Sequence, residues 1–106
     1  MNSRERIVNL ASTLWKNNMP SGSHIILYGS RARGDWHNDS DWDLLLLFNK
    51  PKIEESDYAN CFDSFTELSW EIGEPISPQL YTIDEWNKMK STPFYENVEH
   101  DKHILV

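Results

Sequence analysis

The sequence predicts an α/β domain, a small mixed sheet flanked by helices, and three observations predict it. Two segments carry apolar residues at helical spacings of three and four. Short apolar runs bounded by glycine or proline stand between and after them, as strands do. The 39% hydrophobic share, with five tryptophans, supplies a core and excludes global disorder. At 106 residues the chain is expected to form one domain, 1–106, because so short a chain buries only about two-thirds of its unfolded surface.

Ser3 is expected to cap a first helix whose positions Ile7, Leu10, Ala11, Leu14 and Trp15 form one buried stripe, ending at Met19-Pro20-Ser21-Gly22. Ile25 to Tyr28, between Gly22 and Gly29, reads as a buried strand. A polar turn follows, with a short helix over Ser30 to Arg33 and a loop after Gly34. Trp42 to Phe48 contains Leu44, Leu45, Leu46 and Leu47 in unbroken sequence, the mark of a strand covered on both faces. A second helix is expected over Ile53 to Ile72, with Tyr58, Cys61, Phe62, Phe65 and Leu68 facing the core and Gly73 terminating it. Ile76, Leu80 and Tyr81 suggest a third strand, which Pro75 and Pro78 place at an edge. Thr82 or Asp84 then caps a short helix carrying Trp86 and Met89. The tail from Phe94 is weakly patterned, and its apolar end Ile104-Leu105-Val106 is expected to be a contact patch for homo-oligomerisation or partner docking.

Ten Lys plus Arg against seventeen Asp plus Glu give a formal charge of -7, which repels polyphosphate chains and excludes an extended nucleic-acid partner. A compact phosphate ligand survives that filter, because a metal or a helix terminus can overcome the mean field locally. Cys61 is the only cysteine, so no internal disulfide forms and a reducing, cytoplasmic location is expected. No apolar run approaches the roughly 18 residues of a membrane helix, so no membrane association is expected.

The segment from Leu27 to Leu45 carries the chemistry. Asp41 and Asp43 stand two apart at a strand start, so both leave one face of the sheet while Trp42 points to the other. Paired anions repel unless a cation lies between them, and oxygen-only donors with open positions suit Mg2+. Gly29-Ser30 follows a strand and opens a helical turn, where backbone N–H groups favour an anion. Ser30 adds a hydroxyl, and Arg33, three residues on, a permanent positive charge. Phosphoryl or nucleotidyl transfer is the expected reaction class. Alone, the aspartates would read as turn-forming acids and Arg33 as a surface cation; the combination favours function. Arg31, His37, His100 and His103 are expected at the surface, His24 at the start of a strand and Trp42 in packing, while Trp36 stays open between base stacking and loop packing.

Gly29-Ser30, ten intervening residues, then Asp41-Trp42-Asp43 resemble the signature of the minimal nucleotidyltransferase family within the polymerase β superfamily. The resemblance extends through Arg33-Gly34, the leucine strand and the order of elements. It implies a polymerase β-like nucleotidyltransferase fold, Asp41 and Asp43 as catalytic Mg2+ ligands, and Gly29, Ser30 and Arg33 holding ATP or another nucleotide triphosphate. The family's third carboxylate belongs on the next strand, where Ile76-Ser77-Pro78-Gln79-Leu80-Tyr81 has no acid. Ser77 or a neighbour stands there, with Glu74 and Asp84 as imperfect substitutes, Glu71 a weaker one, and no assigned general base. Members this short resemble antitoxins whose partners are helical HEPN domain proteins, and some transfer AMP to a partner tyrosine. The resemblance thus implies an antitoxin that moves a nucleoside monophosphate onto an acceptor hydroxyl, with the partner supplying the wall that larger members build from extra domains. The alternative is a catalytically weak or inactive module that neutralises its partner by contact. A stand-alone transferase acting on a small hydroxylated molecule is the third reading.

Overall fold

The structure is a computed structural model describing residues 1–106. Helix α1 (Ser3–Asn18) opens on Asn2, whose side chain accepts the Glu5 amide at 2.8 Å while the Glu5 carboxylate accepts the Asn2 amide. This reciprocal cap displaces Ser3 from the expected role, and the Ser3 hydroxyl instead donates to Glu74 at 3.1 Å. Ile7, Ala11 and Leu14 are buried, whereas Trp15 lies outside the stripe and donates its indole N–H to the Ser23 carbonyl.

Strands β1 (His24–Tyr28) and β2 (Trp42–Phe48) pair antiparallel, β3 (Ile76–Thr82) joins β2 in parallel, and the short β4 (His103–Ile104) completes a four-stranded mixed sheet of order β3-β2-β1-β4. The strand that holds Pro78 and follows Pro75 does lie at an edge. Trp42, Leu44, Leu46 and Phe48 face α1 and α4 (Asp63–Ile72), while Leu45 and Leu47 face the opposite layer. A strand buried on both faces needs no alternation, which is why the leucines run unbroken.

The second helical stretch begins at Glu55, two residues later than expected. It runs through α3 (Glu55–Asp57), a π-helical turn (Tyr58–Phe62) and α4, to Gly73 in the left-handed conformation. The wider turn shifts the phase of the helix, so Asp57, Cys61, Phe65 and Leu68 point inward. Tyr58 and Phe62, expected in the core, are 48% and 37% exposed. Asp57 is matched by Lys50 Nζ at 2.6 Å. Burial, with the Asp57 charge adding, pushes the Cys61 thiol up to about 11, so it behaves as a core residue.

The far face of the sheet carries a layer that the weak patterning of the tail did not foretell. Thr82 caps α5 (Ile83–Asn87) in a reciprocal bond with Glu85, and Thr92 caps α6 (Pro93–Asp101). Trp86 and Val98 from these helices pack with Ile26, Leu45 and Leu47. Strand β4 (His103–Ile104) then pairs antiparallel with β1. Leu105 and Val106 pack against the α1/α4 core, so only Ile104 of the expected apolar patch is exposed. No helix is long and apolar enough to cross a membrane.

Candidate functional site

The candidate site lies at the end of the sheet where β1 finishes and β2 and β3 begin. Asp43 is the register partner of Tyr28 on β1 and of Ser77 on β3, so these three residues form one row across the sheet. Period-two alternation places the row on the α5/α6 face, opposite Trp42. Asp41 joins it from just before the strand, accepting a hydrogen bond from Ser77 Oγ at 2.7 Å.

Gly29 closes the site from the other side. It ends β1 with φ +77 and precedes α2 (Ser30–Arg33), whose Ala32 and Arg33 amides both donate to the Gly29 carbonyl at 3.0 Å. A Cβ built here would strike the Asp43 carboxylate oxygen Oδ2 more closely than real Cβ atoms approach anything. The glycine therefore seats the carboxylate against the serine turn. The predicted residues Gly29, Ser30, Asp41 and Asp43 thus converge.

Electrostatics at the row follow from its partial burial. Desolvation holds the Asp43 carboxyl above the usual carboxylate range, the Asp41 charge adds to this, and Arg33 opposes it. Tyr28 is pushed up to about 12 by burial, then by Asp43 and Tyr81, so its hydroxyl keeps its proton. Arg33 donates to Asp101 at 2.7 Å and to Asp35 at 3.3 Å, which ties α2 to the end of α6. Burial would raise Asp101, but hydrogen bonds from His100 and Arg33 outweigh it and hold that carboxyl below its ordinary range. The structure thus commits Arg33 to Asp101 and Asp35 and shows no contact between it and Asp43.

The two proposed substitutes for a third carboxylate are both removed by the geometry. Glu74 accepts from the Trp42 indole at 3.1 Å and from Ser3, on the face opposite Asp43. Asp84 follows the C-terminal end of β3, the far end from Ser77, and pairs with Lys88. Glu71 is taken by Arg6 at 2.6 Å. Ser77 itself occupies the position on β3 beside Asp43.

Arg31, expected in solvent, has a side chain only 4% exposed, and Trp36 lies over its guanidinium on the Trp42 side of the sheet. Trp36, 49% exposed, therefore packs on Arg31 on the face of the sheet opposite Asp43. Sequence reading missed Arg31; the signal was an arginine followed by two tryptophans, Trp36 and Trp42, with no periodicity to join them. His37, His100 and His103 are exposed as expected, and His24 begins β1 as expected. None of the four surface cavities includes Asp41 or Asp43, so the carboxylates stand on an open face.

The donor set fits a hard divalent cation. Two carboxylates share one face, one of them is destabilised by the charge of the other, and open positions remain for water or substrate oxygens. No third His, Cys, Asp or Glu completes a closed cage.

Comparison with known proteins identifies the family of this fold. A bifunctional uridylyltransferase/uridylyl-removing enzyme of Pseudomonas entomophila is 34% identical over 71 residues, which is 67% of this chain and 7% of that protein. The chain thus spans a small fraction of that relative. A Methanocaldococcus jannaschii protein provisionally named a protein adenylyltransferase is 31% identical over 81 residues, 76% of this chain and 75% of its own length. A toxin-antitoxin crystal structure with AMP-PNP shares the fold at a TM-score of 0.61 and 20% identity, covering 93% of this chain and 72% of that one. Residues 4–105 match the family model described as the nucleotidyltransferase domain, and the chain belongs to that family.

Proposed function

We propose that this nucleotidyltransferase moves AMP from ATP to an acceptor hydroxyl, a tyrosine of a helical HEPN-type partner, and thereby acts as an antitoxin in the cytoplasm. The observation that carries the reading is the seating of Asp43 against Gly29, with Asp41 on the same face and the Ser30 turn beside them. The protein adenylyltransferase relative and the toxin-antitoxin neighbour with AMP-PNP support the choice of AMP and of a protein acceptor. The open face supports an acceptor wall supplied by another molecule.

In this reading the acceptor oxygen attacks the α-phosphorus and the bond to the β-phosphate oxygen breaks. Pyrophosphate leaves, and the hydroxyl proton passes to solvent or the partner. Ser30, through its hydroxyl and with the Ser30 and Arg31 amides at the opening of the turn, holds phosphate oxygens, since the Ala32 and Arg33 amides already donate to the Gly29 carbonyl. Arg33 balances charge as it builds on the leaving pyrophosphate. Asp41 and Asp43 would hold Mg2+, which when bound neutralises phosphate charge and aligns the attacking and leaving oxygens. Ser77 orients Asp41 through their hydrogen bond. Tyr28 stays protonated and serves as a donor beside Asp43.

The test is transfer of label from α-labelled ATP, with Mg2+, to the protein encoded beside this chain. Label on a partner tyrosine, lost in Asp41→Asn, is the expected result. Ser77, standing where a carboxylate would, favours a second reading in which the chain neutralises its partner by contact. Neutralisation that persists without label in Asp41→Asn would select that reading.

Arg33→Gln is expected to raise the KM for ATP about tenfold or more, the loss of a charged hydrogen bond to phosphate, with a smaller change in kcat. Steady-state kinetics checks it. An unchanged KM would return Arg33 to a purely structural link with Asp101.

A further inference from the structure

We infer that Arg31 is the positioning residue of the transfer site, locking the Gly29-Ser30 turn to the start of the aspartate strand from the opposite face of the sheet. The inference rests on the reading above and extends it to a residue that touches neither phosphate nor metal. Arg31 directly follows Ser30, and its guanidinium Nε and Nη2 both donate to the carbonyl of Ser40, the residue before Asp41, at 3.2 Å each. One side chain therefore bridges the two ends of the segment that separates the phosphate turn from the carboxylates.

The grip is specific to a planar cation. Trp36 covers the guanidinium at 4.4 Å from its ring centroid and Trp42 at 4.5 Å. Glu74 Oε1 lies 3.8 Å from Nη2 and accepts the Trp42 indole N–H, so the anion anchors both the cation and one of the indoles that cover it. Rings cover the faces and a carbonyl takes one edge, leaving little of Arg31 for a ligand. Lysine offers the charge without the stacking plane or the fork.

The loop has few other holds. His37 and Ser40 bond to each other, through the His37 amide to Ser40 Oγ at 2.9 Å and the Ser40 amide to the His37 carbonyl at 3.0 Å. Arg33 reaches only Asp35, near the loop's beginning. Arg31 is thus the side chain that ties Ser40, and with it the approach to Asp41, to the turn at Ser30, alongside the Ser77 bond to Asp41 itself. A misplacement of about 1 Å between such groups costs about a hundredfold in rate.

Mg2+ and ATP should bind cooperatively to the wild type, because the cation and the phosphates are held by the two parts that Arg31 joins. Calorimetric titration of ATP, with and without Mg2+, measures that coupling in the wild type, Arg31→Met, Arg31→Lys and Trp36→Ala. The expected result is a loss of Mg2+ enhancement of about tenfold or more in both Arg31 variants, with metal-free ATP affinity and the thermal midpoint much less changed. Trp36→Ala, which alters only an exposed loop residue, should lose about threefold and keeps the test alive if an Arg31 variant unfolds. Enhancement intact in Arg31→Met, restored by Arg31→Lys, or unmoved in Trp36→Ala would overturn the inference. A wild type without Mg2+-dependent ATP binding would instead overturn the transfer reading beneath it.

Discussion

Asp43→Asn is expected to lower AMP transfer by at least about a thousandfold, in line with the loss of a preorganised electrostatic group, while the fold survives. Asparagine keeps the shape that rests against Gly29 and removes only the charge. The same substitution is expected to stabilise the ligand-free protein. Burial and the Asp41 charge both disfavour the ionised carboxylate, so the native state carries a strain that function requires. Since the group is half in solvent, the gain is modest, about 1 to 3 °C in Tm for a domain of this size.

The pH dependence fixes the sign. A carboxyl raised in the folded state binds its proton more readily there than in the unfolded chain. Its destabilising effect is full above the raised folded value and fades as pH falls toward the ordinary value of 3.8. The Tm difference between Asp43→Asn and the wild type should therefore shrink on acidification. A gap that widens on acidification, or transfer by Asp43→Asn within tenfold of the wild type, would remove Asp43 from the role assigned to it.

What the sequence disclosed here is what local chemistry controls. The leucine run needed no partner to be read as a strand, Gly73 announced a helix end, and Pro78 kept β3 at the edge. The spacing from Gly29-Ser30 to Asp41 and Asp43 exposed the site because it is a short-range constraint. The layer of α5, α6 and β4 depends on distant pairing instead, as where the Leu105 amide donates to the Ile25 carbonyl at 2.8 Å. Nothing local to Leu105 encodes that bond. Tyr58 and Phe62 misled for a related reason, since one wide turn rephases a helix without marking its composition. Glu74 could be judged only once Trp42 and Ser3 were seen to hold it on the wrong face for the third carboxylate.

Gly29→Ala is expected to affect both stability and chemistry, and the two can be separated. The backbone at φ +77 and ψ -161 is a region nearly reserved for glycine, so alanine costs about 1 to 3 kcal/mol there whatever its neighbours. The added methyl must also displace the Asp43 carboxylate, and the resulting shift should reduce transfer about a hundredfold. Asp43→Ala removes the atoms that the methyl would strike. In that background the stability loss from Gly29→Ala should fall to the backbone contribution alone, so denaturant titration of the four proteins in the cycle gives a nonzero coupling. Equal losses in both backgrounds would mean that the carboxylate swings away freely, and that Gly29 serves the turn without seating Asp43. A coupling that also tracks lost transfer would tie the glycine directly to the position of the Asp43 carboxylate, because the same displaced group would account for both measurements.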